Sequence, residues 1–310
     1  MNNVITGIDR SGSYRVYLTV TTPMVEEARK IHDTTPLATA GLGRVLTGAG
    51  LMGIDMKNPS DKLTVIFKGD GPAKQILATA HQDGRVKGFI AEPGCDLPLK
   101  PSGKLDVGGS LGIGELTVIK DLGLKEPYVG TIALVSGEIA EDLTAYYYIS
   151  EQQNTAISLG VKVDKDWSVK AAGGLFIQML PGAKEEAVDA LENMLKVLPP
   201  ITTVIEDAIS SNPALSMEGL LSRMMDMIFG SMPGEYRAEA RSYREIKWEC
   251  DCSYDRLEQV LASIGEHDLR QIAEEDGEAE LTCQFCLKKY HFDRKKLNEI
   301  LDRYTKGNKA

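Results

Sequence analysis

Four cysteines near the C-terminus have the types and spacing of a metal site. Cys250 and Cys252 form a C-x-C pair, Cys283 and Cys286 form a C-x-x-C pair, and 30 residues separate the two pairs. Two close pairs joined by a long insert suit a tetrahedral zinc site with four cysteine ligands, because each tight turn directs two sulfurs at one ion. The first pair is unusually tight, since structural zinc sites mostly place two to four residues within a pair.

The cysteines lie in a predicted small domain that spans 241–310. A helix is expected after the N-cap Ser253, then a zinc knuckle and a strand in which Tyr290 and Phe292 share a face, and finally a short helix. A core of this size rarely contributes more than ~3–5 kcal/mol, whereas a structural zinc site contributes ~10–16 kcal/mol of apparent binding energy. We therefore expect one bound zinc ion to decide whether this domain is folded.

The same sulfurs allow two functions. Thiolates on zinc can be oxidised, and oxidised sulfurs no longer bind the ion, which would make the site a redox sensor. A purely structural zinc ribbon has the same spacing, so the spacing leaves both open. His291 could in principle replace one sulfur, although four cysteines already complete a tetrahedron. Cys95 has no partner nearby in the sequence and is interpreted as a free loop thiol.

Composition narrows the class of protein. The 310 residues are 43% apolar and 26% charged, as in a globular protein with a real core. The net charge of -10 and the pI of about 5.1 argue against binding to nucleic acid or to anionic membranes. The N-terminus lacks the pattern of a signal peptide, and no apolar run approaches the ~20 residues of a membrane span. We expect a cytoplasmic protein with reduced thiols.

The rest of the chain predicts an α+β fold with a mainly antiparallel N-terminal sheet. The expected domains are an α+β core (1–182), a helical connector and hinge (183–240), and the zinc domain (241–310). The polar residues 231–244 are expected to form the hinge that leads into the zinc domain. Alternating or apolar runs predict strands, and 3.6-residue periodicity predicts helices. The predicted strands are 14–21, 62–69, 84–92, 114–121, 128–136, 156–163 and 167–180, and the predicted helices are 24–33, 37–53, 138–151 and 184–198.

Catalytic and nucleotide-binding motifs are not supported. Gly48, Gly50 and Gly53 match G-x-G-x-x-G, but a strand should precede them, and a small-residue helical stretch does so instead. Close packing of a Gly/Ala-rich helix explains them better. The four histidines form no H-E-x-x-H pattern, and no G-x-S-x-G sequence is present. We expect neither a nucleotide site nor an enzyme.

A methionine cluster marks the connector. Met217, Met224, Met225, Met227 and Met232 lie close together in the sequence, and Ile228 and Phe229 lie among them. They could belong to a helix packed on the first domain. They could also form an adaptable surface for varied apolar partners, because methionine is flexible and polarizable. Both interpretations hold if the face is covered in one state and uncovered in another.

Several motifs together resemble one family, the redox-regulated heat-shock holdases known as 33 kDa chaperonins. The cysteine arrangement at the C-terminus is similar to that of the family, as are YYYISEQQNTAISLGV (146–161) and AAGGLFIQMLPGA (171–183). Domain order and chain length agree as well. The resemblance covers essentially the whole chain, and the four ligand positions show no departure from it.

The resemblance implies an ATP-independent chaperone that is inactive when reduced and zinc-bound. Cys250, Cys252, Cys283 and Cys286 would bind one zinc ion, and oxidation would pair Cys250 with Cys252 and Cys283 with Cys286. The zinc domain and connector would then unfold, and the protein would form a homodimer and hold unfolding clients. Within the connector, we expect a client-binding surface at Met224, Met225, Met227, Ile228 and Phe229.

A zinc-ribbon adaptor for nucleic acid or a fixed protein partner is the alternative. The segment KKYHFDRKK (288–296) gives it a small basic patch with aromatic residues. Five acidic residues stand just before this patch: Glu274, Glu275, Asp276, Glu278 and Glu280. These acids weaken any attraction to phosphates, so the adaptor is the less favoured interpretation.

Overall fold

A computed structural model describes the backbone of residues 2–307 and the side chains up to residue 303. The last three residues of the predicted zinc domain, 308–310, lie outside the described part. The chain divides into two compact units, one ending at Glu249 and the other beginning at Cys250. The first unit therefore includes the connector and extends nine residues past the expected boundary at residue 240.

The first unit contains two large sheets and is α+β as predicted. The first sheet has the strand order β10-β1-β2-β9-β8, and the second has the order β11-β5-β4-β3-β6-β7. All neighbouring strands described are antiparallel except β11 and β5. The strands are β1 (Val4–Asp9), β2 (Tyr14–Val20), β3 (Lys62–Gly69), β4 (Gln75–His81), β5 (Arg85–Ile90), β6 (Gly114–Asp121), β7 (Tyr128–Ala133), β8 (Thr155–Val163), β9 (Val169–Met179), β10 (Ala238–Arg244) and β11 (Lys247–Trp248).

Helices form two further layers of this unit. Between the sheets lie α1 (Thr22–His32), α2 (Pro36–Ile54) and α4 (Ala140–Ser150), and the short α3 (Val107–Leu111) packs beside α2. The other face of the first sheet is covered by the connector helices α6 (Ile201–Ser211) and α7 (Met217–Phe229), and α5 (Glu185–Val197) joins the same apolar cluster. The first sheet is therefore covered on both faces. Its strand β9 consequently has a nearly continuous buried run rather than an alternation.

The central helix α2 is built from small residues because it fits between both sheets. A Cβ on Gly48 would lie 2.7 Å from Leu143 Cδ1, and one on Gly53 would lie 2.9 Å from Ala80 Cβ. The G-x-G-x-x-G match is therefore a close-packing feature, as expected. Among the described residues, α2 is also the one helix that is long and apolar enough to cross a membrane. The expectation that no apolar run approaches the length of a membrane span is therefore wrong. Since 94% of that stretch is buried inside the protein, α2 is a core helix.

The predicted hinge at 231–244 is wrong for its second half. Residues Ala238–Arg244 form β10, which pairs with β1 along its length. The next segment is fixed as well, because the Asn3 side chain accepts from Ile246 N at 2.7 Å and donates to Ile246 O at 2.9 Å. Ile246 is 2% exposed and packs in the core between the sheets. The chain is therefore anchored to the first unit almost as far as Cys250.

The second unit is small and open. It contains α8 (Tyr254–Ser263), α9 (Glu266–Gln271), a π-helical turn (Ile272–Asp276), the hairpin β12 (Glu278–Thr282) and β13 (Lys289–Asp293), and α10 (Arg294–Gly307). Tyr290 and Phe292 share the buried face of β13, as predicted. The core consists of Leu261, Leu269, Ala273, Cys283, Tyr290, Phe292, Leu297, Ile300 and Leu301.

The packing of α2 gives a first prediction. Gly53→Val should lower the free energy of unfolding of the first unit by about 1–3 kcal/mol, since the added atoms meet Ala80 Cβ and the His81 carbonyl, which cannot move aside easily. Thermal unfolding followed by circular dichroism measures the change. Gly94→Val is the matched control, because nothing lies within 4 Å of a Cβ there. Equal stability of both variants would contradict close packing at Gly53.

Candidate metal centre

Local turns bring the two cysteine pairs together. Cys250 and Cys252 lie immediately before α8, whose N-cap Ser253 accepts from the Arg256 amide at 3.2 Å. Cys283 and Cys286 lie in the turn of the β12–β13 hairpin. That turn is closed by the Cys283 amide donating to Lys288 O at 3.0 Å and by Leu287, which adopts a left-handed conformation with φ of 56°. The first pair therefore lies at the start of a helix, and the second lies in the turn of a hairpin.

The four sulfurs form one cluster in which all lie within 4.8 Å of one another. Cys250 Sγ is 3.7 Å from Cys283 Sγ, and Cys252 Sγ is 3.3 Å from Cys286 Sγ. A tetrahedron of sulfurs around zinc, with Zn–S near ~2.3 Å, has edges of ~3.8 Å. The separations are close to that edge and far longer than the ~2.05 Å of a disulfide. Four cysteines are therefore positioned to bind one metal ion, and their sulfurs suit zinc.

The surroundings shift the pKa values of the cysteine thiols in different directions. Burial raises the pKa of Cys250 and of Cys286. Burial also acts on Cys252, but hydrogen bonds from the Tyr290 hydroxyl and the Cys286 thiol outweigh it and lower the pKa of Cys252 to about 7. Since only thiolates bind metal, loading the site must release protons from the less acidic thiols.

Tyr290 supports this site in a way that the sequence did not reveal. Its hydroxyl lies 3.1 Å from Cys252 Sγ and 3.2 Å from Cys252 O, so it can donate to either. Its ring is 5% exposed and belongs to the core. The sequence places Tyr290 on the buried face with Phe292. Its hydroxyl contact depends on the tertiary placement of the first cysteine pair, for which the sequence carries no signal.

A buried carboxylate also went unnoticed in the sequence. Glu258 on α8 is 7% exposed, and its carboxylate lies 3.0 Å from Lys296 Nζ and forms a second ion pair with Arg303. Both cations lie on α10. This ion-pair network joins the helix that follows the first cysteine pair to the last helix of the chain.

The remaining sequence candidates lie outside the sulfur cluster. His291 projects from the other face of β13, with Nε2 3.5 Å from Glu278 Oε2, so it does not replace a sulfur. Cys95 is a free thiol, buried in the first unit. Of the five residues predicted to bind clients, Met224, Met225, Ile228 and Phe229 are buried on one face of α7, whereas Met227 is 38% exposed.

The Tyr290 contact gives a second prediction. Tyr290→Phe should weaken zinc binding by about 10-fold or more, because hydrogen bonds to metal ligands typically contribute that much. Competition against a chromogenic chelator measures the affinity. Tyr254→Phe is the control, since its hydroxyl lies 3.1 Å from His291 O and its ring packs near Tyr290. The role assigned to the Tyr290 hydroxyl is wrong if both variants bind zinc equally well.

Comparisons with known proteins agree with this architecture. The family model described as "Hsp33 protein" matches residues 2–293. The 33 kDa chaperonin of Alkaliphilus oremlandii is 45% identical over 300 residues, covering 96% of each chain, and that of Clostridium botulinum (strain Alaska E43) is 43% identical, covering 97% of each. The solved 33 kDa chaperonin of Thermotoga maritima superposes with a TM-score of 0.81 at 34% identity, covering 99% of this chain and 100% of that one. The chain therefore belongs to the Hsp33 family.

Proposed function

We propose that the protein is a cytoplasmic, ATP-independent chaperone whose activity is switched by oxidation of the sulfur cluster. In the reduced state Cys250, Cys252, Cys283 and Cys286 hold one zinc ion and the protein is inactive. Oxidation pairs Cys250 with Cys252 and Cys283 with Cys286, frees the ion, and unfolds the second unit and the connector helices before it. The active form is a homodimer that holds unfolding proteins and uses no nucleotide.

The observation that carries this proposal is the dependence of a small core on the sulfur cluster. Among the residues whose side chains are described, nine buried ones form the core of the second unit, and Cys283 is one of them. Such a core gives ~3–5 kcal/mol, less than the ~10–16 kcal/mol that a structural zinc site contributes. Loss of the ligands therefore removes more free energy than the remaining contacts supply.

The redox step balances with peroxide as oxidant. Two zinc-bound thiolates give up two electrons to form one disulfide. One hydrogen peroxide accepts these electrons together with two protons from water and leaves as two water molecules. Two peroxides thus convert all four sulfurs. A disulfide sulfur is no longer a thiolate ligand, so the ion is released.

The proposed client surface is the apolar face of α7 together with the sheet beneath it. Met224, Met225 and Phe229 belong to the same cluster as Ile5, Val16 and Leu18 of β1 and β2. The ion pair between Asp226 of α7 and Arg237, at 2.6 Å, is exposed, and exposed ion pairs contribute only ~0–1 kcal/mol. Ser222 of α7 adds one partly buried hydrogen bond, to the Tyr243 hydroxyl at 2.7 Å. Burial is therefore the main term that holds α7, and its release would uncover two apolar surfaces at once.

The adaptor alternative receives no support from the arrangement of the basic segment. Lys289 Nζ lies 2.8 Å from Glu280 Oε1, and Lys296 Nζ lies 3.0 Å from Glu258 Oε2. Lysines paired with carboxylates contribute little to phosphate binding. We assign no catalytic role to the chain, whose curated relatives are named chaperonins.

Zinc release and chaperone activity should rise together when the reduced protein is treated with peroxide at elevated temperature. One equivalent of zinc per chain should be freed, measured with a metallochromic dye. Aggregation of a heat-denatured client should fall over the same period, measured by light scattering. Protein kept under reductant is the control. Zinc release without any gain in aggregation suppression would leave only a structural zinc ribbon.

The α7 surface can be tested separately. Met224→Gln combined with Met225→Gln should reduce aggregation suppression by the oxidised protein several-fold, because both side chains lie on the face that is buried in the structure. Met227→Gln is the matched control, since Met227 lies among the same residues but is already exposed. Suppression by the double variant equal to that of the control would exclude this face as a client surface.

A further inference from the structure

Methionines are concentrated on α7 and just after it. Five of the eleven methionines of the chain lie within residues 217–232. Leucine or isoleucine would supply a similar apolar area there. A thioether has one property that those side chains lack, because peroxide converts it to a polar sulfoxide. Oxidation can therefore change this apolar face into a polar one without breaking the chain.

The burial of these methionines is graded. Met227 is 38% exposed, and Met217 is half-buried. Met225 is 6% exposed, where it borders a cleft beside Ala238, and Met224 has no exposed surface. Oxidants reach exposed sulfur more readily than buried sulfur. The structure therefore shields the two methionines on the apolar face of α7 and leaves Met227 accessible.

The packing around the two shielded sulfurs disfavours an added oxygen. A Cβ on Gly7 would lie 3.3 Å from Met225 Cε, so the methyl end of Met225 lies against the backbone of β1. Met224 belongs to the same apolar cluster as Leu221 and Ile228. A sulfoxide oxygen buried among apolar side chains without a hydrogen-bond donor is destabilised. Sulfoxides at Met224 and Met225 therefore oppose the covered position of α7.

Met232 has different surroundings. It follows α7, and its Sδ lies 3.8 Å from the hydroxyl oxygen of Tyr14. That hydroxyl donates to Tyr236 O at 2.6 Å and is next to the sulfur. An oxygen on Met232 would have a hydrogen-bond donor beside it, so the buried position tolerates oxidation better there than at Met224.

We propose that Met224 and Met225 are modification sites, oxidised to sulfoxides by the same peroxide that opens the switch, and that their oxidation ends client holding. This inference rests on the function proposed above, in which oxidation of the cysteines releases α7. Both sulfurs are shielded while α7 covers the first sheet. They become accessible once it is released, so their oxidation follows that of the cysteines.

The modification balances with hydrogen peroxide as the oxidant. Each thioether sulfur gives up two electrons and gains one oxygen atom as the O–O bond of peroxide breaks and an S–O bond forms. The second oxygen and both hydrogens of the peroxide leave as one water molecule. Two peroxides therefore modify both methionines.

The sulfoxides have two consequences for the proposed cycle. A polar face binds apolar client segments less tightly, so holding declines as the modification proceeds. The covered position of α7 is disfavoured as well, so the protein does not close when its disulfides are reduced. Sulfoxides are restored by methionine sulfoxide reductases, one for each epimer. Peroxide thus first activates the protein and then, with longer exposure, inactivates it until these reductases act.

Peptide mapping of the full-length, zinc-loaded protein tests the order of events. Samples are taken during peroxide treatment at elevated temperature, and mass spectrometry measures one added oxygen per methionine while a dye measures released zinc. Met227 should be oxidised from the start, and Met224 and Met225 should be oxidised after zinc release. Equal oxidation of all three before zinc release overturns the shielding. Unmodified Met224 and Met225 long after complete release overturn the modification.

A double variant tests the consequence for client holding. Met224→Leu combined with Met225→Leu cannot form sulfoxides and nearly conserves side-chain volume. After prolonged peroxide treatment and removal of peroxide by catalase, wild-type protein should suppress client aggregation several-fold less than it did directly after zinc release. The double variant should keep most of its own initial suppression. Met227→Leu is the matched control and should decline as wild-type protein does. Equal declines in the double variant and the control overturn the inference.

Closure provides a second measurement. After prolonged peroxide treatment, a thiol reductant with zinc should leave the α7 amides of wild-type protein open to hydrogen exchange, and addition of both sulfoxide reductases should protect them. Full protection while Met224 and Met225 still carry oxygen overturns the inference and leaves the redox switch in place. If wild-type protein never suppresses aggregation after zinc release, the chaperone function itself fails and this inference fails with it.

Discussion

The four cysteine sulfurs of the second unit bring together two short sequence segments, and the proposed metal ion would tie these segments to each other. One segment begins α8 and the other closes the β12–β13 hairpin, and the two are 30 residues apart in the chain. The core around them is small, so the free energy of binding a metal ion there would contribute directly to folding. The first unit has no such dependence, because two large apolar clusters fill the spaces on either side of its first sheet. One chain thus joins a unit stabilised by burial to a small unit whose four sulfurs are positioned to bind a metal ion.

Stability is also uneven within the first unit. The helices between the sheets are enclosed, and α2 is almost entirely buried. By contrast, α5, α6 and α7 cover one face of the first sheet from outside, and residues such as Val197 and Ile209 are exposed. Elements that bury one face open at lower free energy than those buried on both. The outer helical layer is therefore the part of this unit best suited to conditional exposure.

The sequence predicted features that depend on local pattern and missed those that depend on distant partners. Cysteine spacing identified the candidate metal site, and alternation identified β3 and β6. The polar, Gly/Pro-marked composition of residues 231–244 predicts a hinge, whereas Ala238–Arg244 forms β10, in which Ala238 is the one buried residue. What orders it is pairing with β1, which lies close to the other end of the chain. The Tyr290 hydroxyl likewise acquires its role from Cys252, 38 positions away in the chain.

The pairing of the oxidised sulfurs decides whether oxidation can open the second unit. Two sulfur contacts join different motifs, Cys250 with Cys283 at 3.7 Å and Cys252 with Cys286 at 3.3 Å. A disulfide from Cys250 to Cys283 would close a loop of roughly 30 residues and would constrain the unfolded chain by about 3–5 kcal/mol. That bond would link the two segments in place of the metal and keep the second unit folded. Disulfides within each motif close loops of three or four residues and leave the two segments unconnected. A switch that opens on oxidation therefore requires disulfides within the motifs rather than between them.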